Sequence, residues 1–430
     1  MKVAFLTLGC KVNSYETEAV WELLEQEGYE RVDFCNLSDV YIINTCSVTN
    51  NGESKSRKMI RHSISQNLNA IVVVMGCFSQ LKSEEVLSIP GVSIAVGTNH
   101  RDQIPQLIKD YLKTNKPINY VNQLSVNESY DHLAIHAFAK HQRAFLKIQD
   151  GCNNFCSYCI IPYARGRVRS KRPDDVIREA NSLVQSGFKE IILTGIHTGG
   201  YGLDFDDYRF SDLLAELVQV DGLKRLRISS IEISELTPEV ISVIQSSDII
   251  VNHLHIPLQS GSERILKLMN RKYTKMDYLN KIEELRHIKD NLSVTTDIIV
   301  GFPGETEEEF LEACEFVQQI GFQELHVFPY SKRDGTVAAK MPNQIDGVTK
   351  KDRVSRLIDI GKKLSLDYAT KNVGLTLEVI PENYKDGYLL GHSSNYLMIK
   401  FKGSQDLIGQ LVSVVITKPG YPENEGILVE

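Results

Sequence analysis

Cys152, Cys156 and Cys159 stand on one short loop with the spacing C-x3-C-x2-C, inside the stretch FLKIQDGCNNFCSYCIIPYARGRVRSKRP at residues 145–173. Three thiolates that close together suit a soft metal or an iron–sulfur cluster. A cubane cluster has four irons, so three local cysteines leave one iron open to an outside ligand. Zinc is the alternative, but a structural zinc site closes its shell with four ligands. No fourth Cys or His stands at plausible spacing; the nearest, His141, lies beyond an apparent strand.

Three more cysteines need long-range folding to meet. Segments 3–8, 39–44, 71–75 and 92–96 read as strands, alternating with helical patterns at 15–28, 52–66, after Ser79 and at 104–112. That rhythm over residues 1–115 predicts a parallel α/β sheet. Cys10, Cys46 and Cys77 each follow directly on the C-terminal end of a predicted strand, and in a parallel sheet those ends share one rim. Small buried thiols would be the plain alternative, but burial alone does not give all three the same topological position. Cys35 and Cys314 read as packing residues.

Residues 116–140 lose the rhythm and read as a linker. Within 141–367, strands are predicted at 145–149, 190–194, 225–229, 253–257, 293–300 and 324–328, which suggests a partial (β/α)6 barrel. Such barrels place their active site at the C-terminal strand ends, where the 152–159 loop falls. Gly-rich or polar loops follow several of these strands: TGIHTGGYG from Thr194, PLQSGS from Pro257, GFPGE from Gly301 and YSKRDGT from Tyr330. Together they offer Gly195, Gln259, Ser260, Gly301, Phe302 and Tyr330 as cofactor contacts. Residues 368–430 are strand-rich with turn residues and fit a small antiparallel all-β barrel.

With 430 residues, 42% hydrophobic and 24% charged, the composition is that of a soluble multi-domain chain. No apolar run reaches the length of a membrane span. The opening MKVAFLTLGC has a single Lys2 and no small-residue cleavage site, so it reads as a strand and the protein as cytoplasmic. A net charge of −7 leaves nucleic-acid binding to local patches. One is the 165–172 run, in which Arg165, Arg167 and Arg169 are candidate RNA contacts. Another is Lys55, Arg57, Lys58 and Arg61, beyond Cys46. Arg333, Lys400 and Lys402 complete the candidate set, with Tyr396 as a stacking residue. From Asp367 to the end there are five lysines against eight acids, so the last domain is not basic overall.

The word Cys152-Asn-Asn-Phe-Cys156-Ser-Tyr-Cys159, with Tyr158 before its last cysteine, is similar to the signature of the radical S-adenosylmethionine (SAM) enzymes. TLGCKVNSYET from Thr7, NTCSVT from Asn44 and MGC ending at Cys77 resemble the three N-terminal blocks of the methylthiotransferases within that superfamily. The resemblance implies a flavodoxin-like N-terminal domain, a radical SAM barrel and a small C-terminal RNA-binding TRAM barrel. It also implies two [4Fe-4S] clusters. One, on Cys152, Cys156 and Cys159, binds SAM at its open iron and cleaves it to methionine and a 5′-deoxyadenosyl radical. The other, on Cys10, Cys46 and Cys77, carries the sulfur to be transferred. No catalytic side chain beyond these ligands is implied.

The words LGCKVN and CSVT, with Lys55-Ser-Arg57, look like the branch that acts on threonylcarbamoyladenosine beside the tRNA anticodon. Implied partners are a tRNA anticodon loop and an electron donor such as flavodoxin or ferredoxin. Isopentenyladenosine tRNA and a ribosomal protein are alternative substrates. A two-cluster electron carrier without catalysis is the alternative from another class.

Overall fold

The computed structural model describes residues 1–125, 128–131, 133–135 and 142–429. Residues 126–127, 132 and 136–140 of the expected linker lie outside that range, as do His141 and Glu430. The chain forms two compact units that do not follow sequence order. The first comprises Met1–His136, Lys147–Lys171 and Ser331–Ala339; the second comprises Ala137–Leu146, Arg172–Tyr330 and Lys340–Glu430. Among the described residues no helix is long and apolar enough to cross a membrane.

The first unit is built on a six-stranded parallel sheet. Its order is Glu30–Val32, Lys2–Thr7, Val40–Thr45, Ile71–Gly76, Ile94–Val96 and Ile118–Tyr120. The central runs VYIINT and IVVVMG are buried at every position, the pattern of parallel strands covered on both faces. Successive residues alternate between two cores: Ile42, Val73 and Met75 pack in one layer, Tyr41, Ile43, Val72 and Val74 in the other. Helices Lys11–Gln26 and Ile104–Thr114 cover the first layer, and Asn50–Gln66 covers the second. Four strands were expected; Glu30–Val32 and Ile118–Tyr120 are short edge additions, each three residues long and too short to show a period. The first helix starts at Lys11 rather than 15, which makes Cys10 its N-cap. Cys35 is exposed, not packed.

In the second unit, strands Ala144–Lys147, Glu190–Thr194 and Arg225–Ile228 form one sheet, and His253–His255, Ser293–Val300 and Glu324–Pro329 another. A parallel bridge from Leu226 to Ile250 continues the series between them. These are the six strands of the expected partial barrel, in sequence order. A short antiparallel pair in the first unit, Gln149–Asp150 with Arg169–Ser170, was not foreseen. The C-terminal segment closes into a five-stranded barrel. It is not wholly antiparallel, because Met398–Lys402 pairs parallel with Asn424–Leu428. Buried Glu190 anchors it: its carboxylate accepts from Arg227 Nε at 2.7 Å, while Arg225 and Arg227 donate onward to the carbonyls of Glu378, His392 and Ser393.

A buried ion cluster fixes the 147–171 segment within the first unit. Glu16 Oε1 accepts from Arg165 at 2.8 Å, Arg101 at 2.8 Å and Lys147 at 2.9 Å. Asp150 accepts from Lys147 at 2.6 Å and from Arg165 at 3.1 Å, and Arg101 also reaches Asp131 at 2.7 Å. Burial alone would raise both central carboxyls. The surrounding cations outweigh it, holding Glu16 at about 2 and Asp150 well below the ordinary range. A depressed carboxylate contributes stability above its unfolded pKa and loses it as the pH falls towards the folded value. The cluster's contribution to stability should therefore be constant above about pH 4.5 and decline steadily between there and about pH 2, read by denaturant titration at successive pH values. Replacing Arg165 by Met should cost about 3–5 kcal/mol, since it strands two buried carboxylates. A loss below about 1 kcal/mol would mean that the cluster is not the tie described.

Candidate functional site

Cys46 and Cys77 directly follow the strands Val40–Thr45 and Ile71–Gly76, and Cys10 follows Lys2–Thr7 by three residues. Sheet order reverses between Lys2–Thr7 and Val40–Thr45, because the second strand in sequence pairs on the outer side of the first. Ligands of open parallel sheets bind at such a switch point, and Cys10 and Cys46 flank it. Gly9 sits at φ +104, and a methyl group there would stand 3.2 Å from Cys46 Sγ. Glycine thus leaves space between the first two thiol-bearing loops. Buried Asn13 ties them: its Nδ2 donates to Leu8 O at 2.7 Å and Thr45 O at 3.1 Å.

The thiols feel one another. Cys77 is raised to about 11: burial contributes most, Arg165 pulls against it, and Cys10 and Cys46 add to the rise. Cys46 is likewise raised by burial and by Cys10, against Arg165 and Arg333. Arg165 Nε donates to Cys77 Sγ at 3.3 Å, and its Nη2 donates to Asn13 Oδ1 at 2.8 Å. Metal binding requires thiolates, and a guanidinium held against one sulfur favours that form. Three soft donors, a glycine-cleared space and a cation facing the sulfur fit an iron–sulfur cluster.

The second trio lies in the same unit. Gly151, at φ +72, precedes Cys152, and a methyl group there would meet Arg167 O at 1.8 Å. Only glycine lets the loop turn against the Arg165–Arg167 backbone. Cys152 N donates to Gly166 O at 3.0 Å and Cys159 N to Cys156 O at 3.0 Å, closing the loop on itself. Asn154 N points at Cys152 Sγ from 3.4 Å, the kind of amide contact that cluster sulfurs accept. Cys152, Cys156 and Cys159 are all half-buried, so the loop can hold a cluster and still admit a ligand.

Several expected RNA contacts have other work. Arg165 is fully buried and cannot reach a phosphate. Arg333 is also buried; it donates to Asn50 Oδ1 at 2.6 Å, to Ser47 Oγ at 3.0 Å and to Glu53, bracing the loop after Cys46. Arg57 pairs with Glu85 at 2.7 Å and Glu53 at 3.1 Å and lies over the Phe78 ring. Arg169 is buried and pairs with Asp150 at 3.8 Å, but its three side-chain nitrogens make no hydrogen bond among the described residues. Of the three candidate RNA contacts in the run, Arg167 alone is exposed. In the last barrel, Lys400 and Lys402 are exposed and flank the ring of Tyr388 at 5.0 and 5.9 Å. They line a cavity of about 700 Å³. Tyr396 is not a free stacking residue: its ring lies between His253 at 4.3 Å and His392 at 4.7 Å.

Of the expected cofactor contacts, Tyr158 lies on the cysteine loop in the first unit and is half-buried. In the second unit Gly195 and Gln259 are half-buried, and Gln259 takes φ +67 as its backbone bridges to Asp297 and Ile299. Ser260 is buried, its Oγ accepting from Ser262 N at 3.2 Å. Gly301, at φ +70, donates its N–H to Glu305 at 2.6 Å. Phe302 is fully buried against Tyr330, rings 5.6 Å apart, so its side chain is core and only its backbone could meet a ligand. Sequence reasoning missed His255, Asp297 and His326, whose ligand-type atoms lie within 4.8 Å of one another. Strand register could have found two of them, since Asp297 pairs directly with His326.

Residues 146–317 match the Radical SAM superfamily model, and residues 2–97 match one described as Uncharacterized protein family UPF0004. The fold resembles the radical SAM methyltransferase TsrM from Kitasatospora setae, with TM-score 0.58 at 14% identity over 90% of this chain and 80% of that one. The chain is 39% identical to "Threonylcarbamoyladenosine tRNA methylthiotransferase MtaB" of Aquifex aeolicus, over 97% of this chain and all of that protein. It is 36% identical to "tRNA-2-methylthio-N(6)-dimethylallyladenosine synthase" of Thermoanaerobacter pseudethanolicus, over 99% of this chain and 92% of that one. With the Bacillus subtilis protein named "Threonylcarbamoyladenosine tRNA methylthiotransferase MtaB" the identity is 52%, over 99% of this chain and 96% of that protein. Likeness of that degree along the whole length, on a scaffold that gathers both cysteine trios, means that the chain belongs to the radical SAM methylthiotransferase family.

Proposed function

We propose that this protein adds a methylthio group to C2 of N6-threonylcarbamoyladenosine beside the tRNA anticodon. The observation that carries the substrate is the 52% identity to the Bacillus subtilis protein of that name, against 36% to a dimethylallyladenosine synthase. Family membership brings SAM and a [4Fe-4S] cluster with it. Cys152, Cys156 and Cys159 would hold that cluster, and Cys10, Cys46 and Cys77 a second one. When bound, the clusters and SAM supply the radical chemistry that an unacidified C2–H requires.

The chain's own residues hold, orient and tune. Arg165 and Arg333 brace Cys77 and the loop after Cys46 from the protein side, and their charge offsets part of the rise that burial gives the two thiols. Half-burial of the Cys152 loop keeps one side open to a ligand. The threonylcarbamoyl group adds a carboxylate, for which a planar guanidinium is the matching donor. Arg165 and Arg333 are committed internally, so neither supplies it, and exposed Arg167 is left to face the RNA backbone. Lys400 and Lys402, beside Tyr388, fit the anticodon arm's phosphates and an unstacked base. Electrons would come from a flavodoxin or ferredoxin in the cytoplasm.

Changing Cys152, Cys156 and Cys159 to Ala should remove about half of the iron and sulfide and abolish SAM cleavage. The Cys10, Cys46 and Cys77 triple variant should still yield 5′-deoxyadenosine but no methylthio product. Full iron content in the first variant, or product from the second, would contradict these assignments. For the substrate, the anaerobically reconstituted enzyme should turn over tRNA bearing threonylcarbamoyladenosine and leave isopentenyl-bearing and unmodified tRNA essentially unchanged. Equal turnover of the isopentenyl form would overturn the substrate reading.

A further inference from the structure

Beside the Cys152 loop is a cavity of about 500 Å³ whose lining includes Phe155, Tyr163, Arg167 and the amides of Asn122 and Gln123. Phe155 and Tyr163 are large aromatics exposed at 36% and 51%, meeting edge to face at 6.4 Å. The Arg167 guanidinium lies over the Phe155 ring at 4.5 Å. Phe155 itself sits at φ +46, in the left-handed region that a bulky residue enters only at a cost. Such strain persists where the surroundings impose it, often at ligand sites. All of these residues lie in the first unit, and Phe155 stands between Cys152 and Cys156.

From these observations we propose that the cavity is a nucleobase subsite, taking one unstacked base of single-stranded RNA next to the target adenosine. Proteins that grip single strands pair a cation for the backbone with aromatic rings on which bases stack. Loop bases are then distinguished by hydrogen bonds to their exposed edges, and Asn122 and Gln123 are exposed amides in the same lining. The target adenine must lie where the chemistry occurs, so this site serves a neighbour. Holding that neighbour unstacked would keep the target base out of the loop stack as well. The proposal rests on the tRNA reading above and adds a specific contact to it.

The test uses the full-length, reconstituted enzyme and a synthetic anticodon stem-loop bearing threonylcarbamoyladenosine. Phe155→Ala and Tyr163→Ala should each weaken binding roughly ten- to a hundredfold, with iron content and thermal midpoint held at the wild-type values. Phe155→Trp should bind within about threefold of wild type, because a larger ring still stacks. Arg167→Ala should lower the log–log salt slope by about 0.7. Should the alanine variants fold poorly, wild-type enzyme photocrosslinked to stem-loops with 5-iodouridine beside the target should label Phe155 or Tyr163. Wild-type affinity in both alanine variants, or crosslinks confined to other segments, would overturn the subsite while active wild-type enzyme left the function intact. Slower reduction by flavodoxin with unchanged RNA affinity would assign the surface to a protein partner and equally overturn it. If the wild-type enzyme neither bound nor modified the RNA, the function and the subsite would fall together.

Discussion

Arg165 is the residue on which the first unit depends. Its guanidinium is wholly buried and donates to Glu16, Asp150, Asn13 and Cys77. A cation in that position is tenable only because two carboxylates face it, and the carboxylates are tenable only because Arg101 and Lys147 share them. The result joins elements far apart in sequence: the first helix, the short strand Gln149–Asp150 that leads into the Cys152 loop, and the short helix Ile161–Arg165 that leaves it. The same side chain that closes this cluster touches a sulfur of the other trio. Thiol position and buried charge are therefore one problem in this fold, and moving either moves the other.

That arrangement explains which parts of the molecule could be read from its sequence. The placement of the six cysteines was legible because each sits at a strand end or in a tight local word, and VYIINT and IVVVMG are plain buried strands. Lys400 and Lys402 were legible for a similar reason: they alternate with Ile399 and Phe401, which are buried. Barrel order followed from simple strand–helix alternation.

The arginine run was not legible, because a block of charge in one dimension does not say which members turn inward. Arg165 and Arg169 are buried while Arg167 is exposed, a split set by the turn at Gly166 and by the pairing of Arg169 with Asp150. Polar interruptions were the missed signal. Lys147 ends the apolar strand Ala144–Lys147, buried Asp150 follows three residues on, and Glu16 stands in a helix buried on most sides. Charged residues at such positions are buried only when paired. Tyr396 misled for a different reason: its partners His253 and His392 come from other strands, and nothing local announces a ring sandwiched between them.

On the proposed function, both trios and the exposed cations would serve one chemical outcome in the cell. Nucleoside mass spectrometry of bulk tRNA, from a strain lacking this gene and from the same strain complemented with it, reads that outcome directly. Loss of 2-methylthio-N6-threonylcarbamoyladenosine with accumulation of its unthiolated precursor, reversed by complementation, is the predicted result. An unchanged level of that nucleoside, with loss of the 2-methylthio-isopentenyl form instead, would contradict the account.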